Sequence, residues 1–201
     1  MSFSEKLDQV SEKKFFSLSR PYLKFIDKSK IYSLIYYVMA VINLIIPFVI
    51  LYQVIDSGVF RYLEAKYIFA FLLSWIVVVF ACWIGFQLWW NRRKKVDELG
   101  ESEFSATLIF SEILQTTGEW IGTLIGIIGA GAGLLAFIFL GNDLDEVFRM
   151  IGMGSLALGP AIIIAGPIIG FSIIILFRFL AEQLRLFASL VEHTREIAKK
   201  K

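Results

Sequence analysis

Residues 118–142 read GEWIGTLIGIIGAGAGLLAFIFLGN, and the rest of the chain is understood outward from them. From Trp120 to Asn142 there are 23 positions without a charge, and a helix needs about 20 apolar residues to cross a bilayer core. At about 100° per residue, Gly118, Gly122, Gly126, Gly129 and Gly133 share one narrow face. Small residues at such spacing let two helix backbones approach closely. Glycine-rich runs also cradle phosphates, but helical sequence rather than a strand precedes this one and no Gly-Lys-Ser/Thr follows. A nucleotide loop is therefore not expected.

Three further charge-free runs flank this one. Ile31–Ile55 and Tyr67–Asn91 hold 25 residues each, and Met150–Phe177 holds 28. With 57% hydrophobic and 19% charged residues and a mean hydropathy of +0.70, the chain has more apolar surface than a soluble domain of 201 residues can hide. The expected fold class is all-α, a polytopic integral membrane protein with spans at about 31–55, 67–91, 120–142 and 150–177. Residues 1–30 form a polar, amphipathic N-terminal segment, and residues 178–201 a helix outside the bilayer. The first run begins too late and is too long for the core of a signal peptide. Cys82 is the only cysteine, so an intrachain disulfide is ruled out.

Basic residues set the orientation. Residues 1–30 hold seven Lys and Arg, 92–119 hold four and 178–201 hold six; only Arg61, Lys66 and Arg149 lie in the other connections. Threading four spans places 17 of the 20 on one side, which the positive-inside rule makes cytoplasmic, together with both termini. A bacterial inner membrane is the expected location.

The fourth run repeats the small-residue pattern of the third: Gly152, Ser155, Gly159, Gly166 and Gly170 lie on one stripe. Helix packing is thus assigned to Gly122, Gly126, Gly129, Gly133, Gly159, Gly166 and Gly170. Pro160 and Pro167 are expected to break this helix, and irregular backbone at that depth must be shielded from lipid. Two stripes, one serving a contact within the chain and one a contact between chains, predict a homo-oligomer. Asn43, near the middle of the first span, needs a partner inside the protein.

Charges flank the glycine helices. For an antiparallel pair whose turn is centred near residues 148–149, facing positions have numbers adding to about 297. Glu119 then meets Arg178, and Glu112 meets Arg185, two helical turns further out. Arg92, Arg93, Lys94 and Lys95, directly after Trp89 and Trp90, join an aromatic belt to a basic anchor and are assigned to anionic lipid headgroups. Nucleic acid is not an expected partner, because no aromatic-lined binding fold accompanies this basic run.

Catalysis has little to draw on. One cysteine lies in a span and one histidine near the tail, and no nucleophile–base pair or metal-ligand cluster is recognisable. No cofactor is expected. Carboxylates, the usual mark of ion-coupled transport, are absent from all four runs. The expected function is therefore that of a non-enzymatic, self-associating membrane scaffold whose cytoplasmic helices could also dock a protein partner. The alternative is a channel subunit, with the broken fourth helix lining a water path and Asn43, Gln53 or Gln87 adding polar contacts.

Overall fold

Over the described residues each charge-free run is helical, and most of these helices continue past it. The computed structural model describes residues 29–99, 105–141 and 158–199. They form α1 (Ser29–Asp56), a short 3-10 turn (Val59–Arg61), α2 (Ala65–Leu99), α3 (Ser105–Leu140) and α4 (Leu158–Lys199). No strand occurs among the described residues. All four helices are long and apolar enough to cross a membrane, and the chain is a polytopic membrane protein. Residues 1–28 of the expected N-terminal segment, the acidic turn at 143–149, and Gly152 and Ser155 fall outside the described residues, while Ser29 and Lys30 open α1.

The helices pack in series: α1 on α2, α2 on α3, and α3 on α4. One end of this array carries the start of α1, the end of α2, the start of α3 and the second half of α4. This is the basic end of the molecule. The buried core is concentrated there, around Tyr36, Ala40, Trp89, Val96 and Ile109. Tyr36 and Trp89 meet edge to face with ring centroids 5.0 Å apart. Toward the other end, α1 and α2 are held by Trp75, whose Nε1 donates to the Pro47 carbonyl at 2.8 Å. Asn43 is buried between helices, with its carbonyl oxygen accepting from Trp120 Nε1 at 2.7 Å and its amide donating to Met39 O. The mid-span amide thus has its inward partner.

The third and fourth helices meet along their glycines. A Cβ added to Gly129 would lie 2.8 Å from Gly166 Cα, and one on Gly122 or Gly170 would collide with the other's carbonyl oxygen. Gly133 faces Ile162 and Ile163, and Gly118 faces Phe177. Gly126 is looser, 3.8 Å from Pro167 Cα by the same measure. Gly159 lies in the first turn of α4, and its surroundings fall outside the described residues. The two stripes therefore engage each other within one chain, and neither Gly166 nor Gly170 is left for a second copy. The expectation of a homo-oligomer loses the spare stripe on which it rested.

Nor do the prolines break α4, which runs unbroken for 42 residues. Pro160 is its third residue, where a helix has no acceptor for the missing N–H. Pro167 removes one bond, to the Ile163 carbonyl, and the helix continues around it. α3 ends at Gly141, whose φ of 52° is the left-handed conformation that glycine adopts freely after a helix.

Candidate functional site

The basic end holds the polar centre of the molecule. α3 presents Glu112, Ser111, Thr116 and Glu119 to its neighbours, and all four are buried. Glu112, Thr116 and Glu119, four and three residues apart, make one polar face, with Ser111 next to it. Two buried carboxylates require partners, since desolvated charge is costly when unpaired.

α4 supplies two of them. Arg178 Nε donates to Glu119 Oε1 at 2.8 Å, and Arg185 Nη2 to Glu112 Oε2 at 2.9 Å. The structure thus brings the four flanking charges together in the anticipated register. Arg185 also donates to Gln115 Oε1 at 2.7 Å and to Ser111 Oγ at 3.2 Å. Gln115 in turn donates to Glu119 Oε1 at 2.9 Å and so joins the two levels.

α2 supplies the other two. Arg92 spans both carboxylates, with Nη2 on Glu119 Oε2 and Nη1 on Glu112 Oε1 at 3.4 Å. Lys95 Nζ lies 2.9 Å from Glu112 Oε2, the same oxygen that Arg185 engages. Thr116 spends its own hydrogen on the Glu112 backbone carbonyl, leaving Oγ1 to accept from Arg92 and from the Tyr36 hydroxyl. All four helices therefore meet in this network.

This changes the reading of the basic run. Arg92 is turned inward, its side chain only 22% exposed, so its assignment to lipid headgroups gives way to that of a counterion. Lys95, also assigned to headgroups, holds Glu112 while its side chain remains half exposed. Arg93 lies over the Tyr37 ring, 4.3 Å from its centroid, and beside Trp90. Lys94, exposed like Lys95, takes no part in these contacts. The three-residue step from Arg92 to Lys95, which puts both on one helix face, was the signal that could have separated them from Arg93 and Lys94.

Comparison with known proteins finds no matching family model, no similar curated protein and no similar solved structure. The site must be interpreted from its chemistry. Among the described residues, no group of three or more His, Cys, Asp or Glu could hold a metal ion. Of the polar residues within the spans, Asn43 is buried and bonded, while Gln53 and Gln87 lie exposed. What the network can do is lock α2, α3 and α4 together at one membrane boundary, with cations outnumbering carboxylates.

Proposed function

We propose that this chain is a non-enzymatic, self-associating membrane scaffold, in a bacterial inner membrane with both termini cytoplasmic. The observation that carries the reading is the face of α4 that points away from α3. Leu176, Phe179, Gln183, Leu186, Leu190 and Ile197 follow the alternating three- and four-residue steps of a coiled-coil seam, with His193 between the last two. The apolar members are more than half exposed. From Arg178 at the boundary to Lys199, α4 extends about 32 Å further, at 1.5 Å per residue. Acyl chains can cover Leu176, whereas Leu186, Leu190 and Ile197 stand in water unless protein covers them.

The occupant we assign is α4 of a second copy. Copies inserted the same way are parallel, so each seam residue meets its own counterpart, and paired Gln183 amides fix the register. Orientation rests on the basic residues rather than on this seam.

Cysteine cross-linking in native membranes, on a Cys82→Ser background, tests the proposal. Leu190→Cys should give a covalent dimer on mild oxidation, while Glu192→Cys, on the opposite side of the helix, should not. Equal yields from both, a single-chain mass for the wild type by native mass spectrometry, or capture of a different protein in place of the dimer would each overturn it.

A further inference from the structure

The network carries more positive than negative charge. Four cations, Arg92, Lys95, Arg178 and Arg185, converge on two carboxylates, a net of +2. The carboxylates have no capacity left to balance it. Both oxygens of Glu112 and both of Glu119 are already engaged, and Glu112 Oε2 serves two cations at once. At a membrane boundary, where solvation is weaker than in bulk water, such an excess attracts an anion.

The excess is also accessible. Arg92 is inside the cluster, but the side chains of Arg178 and Lys95 are 55% and 54% exposed, and Arg185 is at the same rim. Arg178 commits its Nε to Glu119, and no hydrogen bond among the described residues engages its two terminal nitrogens. A guanidinium held from behind by a carboxylate presents a planar, preoriented pair of donors, the geometry that suits phosphate oxygens. On the same side of α4, Ile175 and Phe171, about one and two turns nearer the middle of the span, are exposed apolar residues.

We propose that Lys95, Arg178 and Arg185 form a binding site for a phosphate anion, set over the buried carboxylates. The phosphate belongs to the phosphodiester headgroup of an anionic lipid or to a soluble phosphate of the cytoplasm. In the first case the neighbouring apolar residues of α4 take the acyl chains. The site differs from a general basic surface because its cations are positioned by carboxylates behind them, and because Lys94, one residue from Lys95, stands outside it. It does not depend on self-association.

The test titrates purified, delipidated full-length protein with dioleoyl phosphatidylglycerol, dioleoyl phosphatidylcholine and inorganic phosphate separately, reading bound ligand by native mass spectrometry. The wild type should favour the anionic lipid over the zwitterionic one by tenfold or more. Lys95→Gln leaves Glu112 with Arg92 and Arg185, so the fold should survive while the preference falls about fivefold, the change expected for one basic residue at a membrane surface. Arg178→Gln should do the same, and Lys94→Gln should change it less than twofold. Inorganic phosphate that binds and displaces the lipid would identify the soluble source. Lipid binding that phosphate does not displace would identify the headgroup. No preference for either anion, or an equal loss in Lys94→Gln, would overturn the site.

Discussion

Glu119 and Arg178 touch each other but are not equal partners. Glu119 is buried and also neutralises Arg92, whereas Arg178 has more than half of its side chain exposed. Glu119→Gln leaves Arg178 without its anion and Arg92 with only the longer contact to Glu112, and a loss of about 3–5 kcal/mol is expected, as for breaking a buried pair from one side. Arg178→Gln leaves Glu119 still bound to Arg92 and Gln115 and should cost about 1 kcal/mol. Thermal melts of the single and double variants would check this asymmetry; equal losses would show that Arg92 does not hold Glu119 in solution. Asn43→Leu removes the acceptor of Trp120 Nε1 and should cost about 1–2 kcal/mol, with a change in tryptophan emission. The sequence made the Glu119–Arg178 and Glu112–Arg185 pairs legible because one antiparallel register fixes both. Arg92 and Lys95 were obscured by their neighbours: four consecutive basic residues look like one surface patch until each is placed around the helix. Applying the antiparallel rule to α2 and α3 as well, about the midpoint between Leu99 and Ser105, would have set Arg92 near Glu112.

At the scale of the helices, the glycine ladder makes a graded forecast. Gly129→Ala and Gly170→Ala place a methyl against backbone of the facing helix, which cannot turn aside, and each should lower the melting temperature by several degrees. Gly126→Ala meets only an ordinary contact at Pro167 and should be near neutral. If all three behave alike, α3 and α4 are not in this register. The stripes themselves were plain from residue spacing. That they would close on each other was not, because spacing shows which faces are small without showing which faces meet. The continuity of α4 was hidden for a similar reason: a proline announces a missing hydrogen bond, and only position within the helix decides whether that bond existed to lose.

For the molecule as a whole, hydropathy located the four spans, since charge-free runs of this length have few other uses. It understated the helices, because the extensions at the basic end alternate charge with apolar residues and drop out of any hydropathy criterion. The topology is directly testable: single cysteines between Ser57 and Leu63 should react with an impermeant maleimide added outside spheroplasts. Protection there, with labelling only after lysis, would invert the orientation. The placement of the four cations also has a consequence for how the protein is made. Translation delivers Arg92 and Lys95 before Glu112 and Glu119, and Arg178 and Arg185 last. When α3 leaves the ribosome, both carboxylates find their charge already matched on the preceding helix, so three helices form an electrically neutral unit at this site. A chain ending after Asn142 should accordingly insert and resist proteolysis at its basic end. The final helix arrives as an addition to a settled structure, bringing the surplus charge and the seam with it.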